Sequence, residues 1–342
     1  MGSPGLMNGV VPYVVLGTAI GDALGKTFEN KDAEYPPLVN WDGHTYLSGG
    51  FKNLGEAGLK AGAWTDDTQM TLALAQCIIS HHAYNPVVVA EAYRNWYQGK
   101  GPSGACRGTG STVRYAMDKL VSDLGNWRTA SRDFKVGDII GCGSAMRVAP
   151  LGVVYDKENI LQFAELDANL THKHPEGRAG SIAVALMVYY CRKMPKGTVP
   201  YDIMLSSVIK TLEEHGYKDT MTFKGLRLVQ LMLEKSLYWK EAYTILGNSG
   251  KVWELVPMAF YCFLSRLKMA GDNVLEHADG VARGTYEVAI MGGGDTDSRA
   301  AVAGAFLGAF FGLEALIQFL PGLELFDTLQ VMDMELYRTV KT

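Results

Sequence analysis

Two stretches of this chain gather acids in patterns able to do chemistry: "WTDDTQM" at 64–70 and "GGGDTDSRAAVAGAFLGAFFG" at 292–312. In each, carboxylates and hydroxyls crowd the mouth of an apolar run with helical spacing. One such oxygen can cap a helix N-terminus, where the dipole also favours negative charge; Thr65 or Asp66 alone could do that. Two clusters are more than capping needs. If they fold together, Asp66, Asp67, Asp295 and Asp297 repel one another and lose hydration unless a cation neutralises them. With the hydroxyls of Thr65 and Ser298 they form an all-oxygen donor set, which suits Mg²⁺ or Mn²⁺ far better than zinc. Two adjacent ions sharing a carboxylate would use all six residues. The glycines before Asp295 read as an unusual backbone turn.

Positioning these clusters falls to helices. Nearly every periodic segment has helical spacing, so the chain is expected to be all-α, with helices near 9–24, 66–82, 86–98, 109–121, 158–170, 176–192, 201–214, 222–234, 237–246, 252–268, 273–290 and 296–312. A terminal helix and a covering segment are expected in 313–342. Small residues from Ala300 to Ala309 permit close helix approach, and an apolar circumference there implies a helix buried on all sides. No low-complexity linker or charge block cuts the chain. A single domain over 1–342 is therefore expected, with 1–6 read as a cloning remnant because a second methionine stands at position 7.

Composition narrows the function classes. Of 342 residues, 48% are hydrophobic and 20% charged, a globular balance rather than a disordered one. A formal net charge of −4 without a basic stripe argues against nucleic acid as a partner. Apolar runs are too short for a membrane span, and no secretion signal opens the chain. Cys77, Cys106, Cys142, Cys191 and Cys262 form no C-x-x-C pair and read as reduced thiols of a cytoplasmic protein.

Five motifs in order, "GTAIGDALGKTFE" (17–29), "WTDDTQM", "GCGSAMRVAPLG" (141–152), "THKHPEG" (171–177) and "GGGDTDSRAAVAGAFLGAFFG", resemble the ADP-ribosylglycohydrolase family over about residues 9 to 312. The resemblance implies a single-domain orthogonal helical bundle with a dinuclear Mg²⁺ or Mn²⁺ cleft that removes ADP-ribose from a modified side chain. It implies Thr65, Asp66, Asp67, Asp295, Asp297 and Ser298 as metal ligands, and Glu29 as the acid that orients or deprotonates water or a ribose hydroxyl. The loop Gly141, Cys142, Gly143 and Ser144 would wrap the ADP-ribose, offering backbone N–H groups, with His172 near the nucleotide. Met146 and Arg147 read as structural, Arg147 as an internal partner for an acid, and Pro175 as the start of the next helix. Two departures stand out: Gly108 occupies a place where some members carry an aspartate, and Cys142 one where asparagine is common.

The expected reaction is metal-dependent hydrolysis at the anomeric carbon, with Asp66, Asp67 or Glu29 accepting a proton from water. ADP-ribosylated arginine on a protein is the first choice of substrate, with ADP-ribose released by a monomeric enzyme. A guanidinium leaving group would want an acidic or aromatic rim, for which Trp41, Tyr97, Trp253 and Glu254 are candidates. Serine-linked ADP-ribose and O-acetyl-ADP-ribose are the alternatives. An inactive binding or structural homologue and a metal-dependent phosphohydrolase are the rival classes.

Overall fold

The computed structural model describes residues 10–29, 59–101, 103–135, 137–194 and 201–340. The expected rim residue Trp41 and the segment 1–6 lie outside the described residues. Among them no strand forms; the elements are helices, joined by turns and short 3₁₀ segments. In chain order they are α1 (Val14–Lys26), α2 (Asp66–His81), α3 (Pro86–Tyr97), α4 (Ser111–Ser122), α5 (Ala149–Val154), α6 (Lys157–Thr171), α7 (Pro175–Lys193), α8 (Tyr201–Glu214), α9 (Met221–Glu234), α10 (Trp239–Leu246), α11 (Val252–Ala270), α12 (Ala278–Met291), α13 (Thr296–Phe311) and α14 (Phe326–Thr339).

The twelve segments with helical spacing all form helices, and the terminal helix appears as α14. Differences have local causes. Helix α12 starts at Ala278 rather than near 273 because a 3₁₀ turn at Gly271–Asn273 comes first. Helix α5 was not anticipated: six residues are too few to display a period.

Helix α13 is the axis of the bundle. All of its residues are buried, and it packs against α1, α2, α5, α7, α11 and α12. Around its second half, Phe306 meets Phe260 and Phe263 with ring centroids 5.0 and 5.8 Å apart.

Its most intimate neighbour is α1, which is also buried throughout. A Cβ placed on Gly17 would lie 2.1 Å from the carbonyl oxygen of Gly304, one on Gly21 2.0 Å from that of Ala300, and one on Gly25 2.3 Å from that of Thr296. The two backbones are in direct contact, which only glycine allows. The pairs 17 with 304, 21 with 300 and 25 with 296 run in opposite directions, so the helices are antiparallel. The C-terminus of α1 is thereby laid beside the N-terminus of α13. At its other end α1 is held by α14, where the Asp333 carboxylate accepts hydrogen bonds from the N–H groups of Val15 and Leu16, both at 2.9 Å.

Because Gly21 has no space for even a methyl group, Gly21→Ala is expected to lower stability by about 3 kcal/mol, the upper range for overpacking a core. Urea unfolding checks this; a loss under about 0.5 kcal/mol would mean that the helix contact is looser than described.

Candidate metal centre

Three helix ends meet at one place: the C-terminus of α1 with Asp22, Lys26 and the following Glu29, the N-terminus of α2 with Asp66 and Asp67, and the N-terminus of α13 with Asp295, Asp297 and Ser298. The two distant acid clusters come together as their composition suggested. A cleft of about 630 Å³ opens over them, and Glu29, Asp66, Asp67, Gly108, Cys142, Asp295, Asp297 and Ser298 are among its walls.

Capping does not explain the acids. Neither Thr65, at the N-cap of α2, nor Asp295, at that of α13, makes a side-chain cap hydrogen bond. Two N–H groups at the start of α2 are instead satisfied from another helix. Asp22 Oδ2 accepts from the N–H of Thr65 at 2.9 Å and of Thr68 at 3.1 Å, while the hydroxyls of Thr65 and Thr68 donate to its two oxygens at 2.8 and 2.6 Å. Asp22 thus caps α2 in place of Thr65 and leaves Asp66 and Asp67 free to face the cleft.

Sequence reasoning missed Asp22. It stood in a quoted motif, "GTAIGDALGKTFE", and a lone acid inside an otherwise apolar glycine-rich helix was the available signal. Single oxygens of Asp22, Asp67 and Asp297 all lie within 4.8 Å of one another, and all three residues are buried.

Burial first, then the Asp297 charge, push Asp22 up to about 6, against the hydrogen bonds from Thr68 and Thr65 that pull it down. Asp297 is pushed to about 7 by burial and by Asp295, with Lys26 opposing. Asp66 and Asp67 are raised well above the usual carboxylate range, both by burial and then by Asp22. Asp67 Oδ1 is buried with no hydrogen-bond partner. An unpartnered carboxylate oxygen at the bottom of an all-oxygen cluster fits a hard divalent cation, and Asp66, Asp67, Asp295, Asp297 and Ser298 are the side chains positioned to hold it. Thr65 is 1% exposed and absent from the cleft wall, and its hydroxyl proton is committed to Asp22.

The turn entering α13 needs its glycines. Gly293 and Gly294 have φ of +64° and +70°. Buried Arg299 fastens this turn, donating to the carbonyls of Ala289 at 2.7 Å, Asn248 at 3.1 Å and Gly293 at 2.7 Å. Arg147 is likewise structural, as expected: its partner is Asp167, at 2.9 Å, with both side chains fully buried.

The glycine-rich loop lines the same cleft and adjoins Asp295 through Cys142. Gly141, Cys142 and Gly143 line it together with His172, whereas Ser144 is fully buried and donates to the Gly177 carbonyl at 3.3 Å. The Cys142 N–H donates to Gly250 O at 2.9 Å, so this one of the loop's N–H groups is spent inside the protein. The Cys142 thiol faces Asp295 Oδ2 at 3.5 Å, and burial followed by the Asp295 charge raises it well above the usual thiol range, which makes it a poor nucleophile.

His172 packs beneath Gly143, where an added Cβ would come within 2.9 Å of His172 Cε1. Burial, then Arg147 and Arg132, hold His172 down to about 3, so its ring is neutral and supports the loop without charge. His174 caps α7, with Pro175 as its first residue. Gly108, at φ +70°, abuts Asp66 Oδ1; a Cβ there would lie 3.1 Å from that oxygen. A side chain at this place would be strained and would crowd the acid.

The expected rim residues that are described lie elsewhere. Tyr97 donates to Asp118, Glu254 is bound by Ser249 and Lys251, and neither these two nor Trp253 belongs to the cleft wall.

A family model described as ADP-ribosylglycohydrolase matches residues 13–341. ADP-ribosylhydrolase ARH3 of Gallus gallus is 30% identical over 317 residues, 87% of this chain and 84% of that protein. ADP-ribosylhydrolase ARH3 of Mus musculus is 29% identical over 338 residues, 94% of this chain and 89% of its own length. A solved structure described as an ADP-ribosylglycohydrolase-related protein complex superposes with a TM-score of 0.63 at 22% identity, covering 96% of each chain. That likeness is one of fold, all-α and of the same type. No described helix is long and apolar enough to cross a membrane.

The raised acids set a pH dependence. Asp22 at about 6 and Asp297 at about 7 bind protons more tightly folded than at the ordinary 3.8, so their contribution is full below about pH 4 and is lost as pH rises through 6 to 7. With chelator present, the melting temperature is expected to fall between about pH 5 and about pH 8, and Mg²⁺ to raise it more at the higher pH, where protons no longer compete. Asp333, pushed by burial to about 8, adds a fall that the cation does not reverse, so the readout is the difference between chelator and Mg²⁺. An equal Mg²⁺ shift at both pH values would rule out this cluster as the binding site.

Proposed function

The chain belongs to the ADP-ribosylglycohydrolase family, and on that premise we propose that it is a divalent-metal-dependent hydrolase. It breaks the bond between the anomeric carbon of ADP-ribose and an acceptor side chain and releases ADP-ribose. One observation carries this reading: two acid clusters more than 200 residues apart in the chain converge under a cleft, their own N-cap side chains making no cap bond, with Asp67 Oδ1 buried and unpartnered. The ion is Mg²⁺ or Mn²⁺, which when bound would supply Lewis-acid polarisation of ribose hydroxyls and water.

The chain's own groups divide the remaining work. Glu29 at the lip, with Asp66 and Asp67 deeper, are the carboxylates placed to accept the proton of the attacking water. As the bond from water oxygen to the anomeric carbon forms, the bond to the acceptor breaks, and the departing atom takes up a proton. Gly141 and Gly143, held up by His172, let the nucleotide lie close to the loop backbone. Arg132 lines the same cleft, its guanidinium 4.6 Å from the Phe134 ring, and offers positive charge to the diphosphate.

For the acceptor, the position of the rim candidates favours an oxygen link over arginine. Of the four candidates for receiving a guanidinium, Tyr97, Trp253 and Glu254 do not line the cleft, and Trp41 lies outside the described residues. A serine-linked or O-acetyl conjugate asks for no such cradle. The substrate is then a serine-ADP-ribosylated protein or O-acetyl-ADP-ribose, and the arginine conjugate is the comparison arm.

Incubation with serine- and arginine-ADP-ribosylated peptides, with Mg²⁺ or with chelator, checks both levels. Release of ADP-ribose from the serine peptide with Mg²⁺ alone is expected, and Asp297→Asn should reduce the rate at least ~100-fold with far-UV circular dichroism unchanged. Cleavage of the arginine peptide only would return the acceptor to arginine. Cleavage of neither peptide nor of O-acetyl-ADP-ribose would end the hydrolase reading.

A further inference from the structure

Lys26 is the last residue of α1, one turn beyond Asp22, and its side chain is only 8% exposed. Lysine is rarely buried unless paired, and here acids of the centre are among its partners. Its Nζ forms an ion pair with Glu29 and stands 3.6 Å from Asp297 Oδ2. It is also close to Gly108, whose Cβ position is 3.9 Å from Nζ and 3.1 Å from Asp66 Oδ1. The ammonium therefore lies between Glu29 and Asp297, and its charge also reaches Asp66. In the same cluster, single oxygens of Asp22, Asp67 and Asp297 lie within 4.8 Å of one another.

Two dications sharing a carboxylate sit roughly 3.5–4 Å apart. A second ion bridged to the first through Asp297 and bound also by Glu29 or Asp66 would need the volume that the Lys26 ammonium takes, and it would meet like charge there. We propose that Lys26 is a built-in cation of the centre, standing where a second dication would, so that the chain binds one divalent ion beside Asp67 and Asp297 instead of a pair.

This inference rests on the metal-centre reading and departs from the two ions that the motifs imply. It also gives Lys26 a definite part: a fixed positive charge that holds Glu29 at the lip and offsets Asp297 without being exchangeable. Arginine would preserve that charge, whereas serine would leave both an uncompensated acid pair and space for an ion.

Titration of the full-length protein with Mn²⁺, followed by calorimetry and by electron paramagnetic resonance, separates the possibilities. Wild type and Lys26→Arg are expected to bind one Mn²⁺ per chain with the spectrum of an isolated ion. Lys26→Ser is expected to bind two, with a spin-coupled spectrum. Lys26→Gln, neutral but of similar length, serves in its place should the serine variant melt below the assay temperature, and is expected to bind two as well. Two ions in wild type would overturn the proposal while leaving the metal centre intact, as would one ion in wild type and in both neutral variants. No Mn²⁺ in any of the proteins would remove the metal-centre reading, and the role of Lys26 with it.

Discussion

The backbone contact between α1 and α13 is the constraint on which the centre depends. Where Gly17, Gly21 and Gly25 face Gly304, Ala300 and Thr296, the two helices approach until carbonyl oxygens occupy the space of missing side chains. The spacing of four on both helices keeps the contact on one face for its whole length. Its antiparallel sense then fixes which ends coincide: Asp22 and Lys26 arrive at the first turn of α13. Had the helices stood a side chain further apart, Asp22 would not share a ligand-sized space with Asp297.

The buried charges of this protein fall into two kinds. Arg147 with Asp167, and Arg299 with its carbonyls, find their main partners within the fold: Arg147 donates from Nε and Nη2 to Asp167 at 2.9 Å, and Arg299 donates to Ala289 and Gly293 at 2.7 Å. The acid cluster is not satisfied in that way. Asp22, Asp66, Asp67 and Asp297 are all raised by burial before any other influence, and Lys26 opposes the shift at Asp66 and Asp297. A fold that places four acids where water cannot ionise them comfortably is strained in one specific sense, and a cation relieves it. The contrast between the two kinds of buried charge marks the cluster as a binding place and the arginines as structure.

Much of this was legible in the sequence. The helices that bear the clusters stand out because each is long, apolar and sharply begun, and Arg147 reads as the partner of an internal acid, which the fold supplies as Asp167. Other residues stayed hidden for physical reasons. Asp22 and Asp333 act on helices distant in sequence, so no spacing rule connects them with the N–H groups they receive. Ser144 looks like part of a glycine loop, but its side chain turns inward to Gly177. Tyr97, Trp253 and Glu254 were offered for their chemistry alone, and nothing local states which way a helix faces. The small residues of α13 announced a close approach, while their partner, the glycine stripe of α1, was visible in "GTAIGDALGK" only as part of a motif.

Asp22 belongs to a pattern that explains how a helix N-terminus becomes a reactive place at all. Among the described helices, two receive their caps from another helix, α1 from Asp333 and α2 from Asp22, while α9 has its own cap in Thr220 and is tied in addition to Glu176, which accepts from the N–H groups of Met221 and Thr222. A helix capped by its own first residue spends that side chain on its own backbone. A helix capped from outside keeps it. For α1 and α9 the consequence is cohesion alone, since a distant acid ties two elements together. For α2 the consequence is chemical: once Asp22 has satisfied Thr65 and Thr68, the carboxylates of Asp66 and Asp67 are not needed as the helix cap and line the cleft. Removing Asp22 would therefore do more than loosen a helix, because the oxygens nearest the ligand would become the nearest available caps.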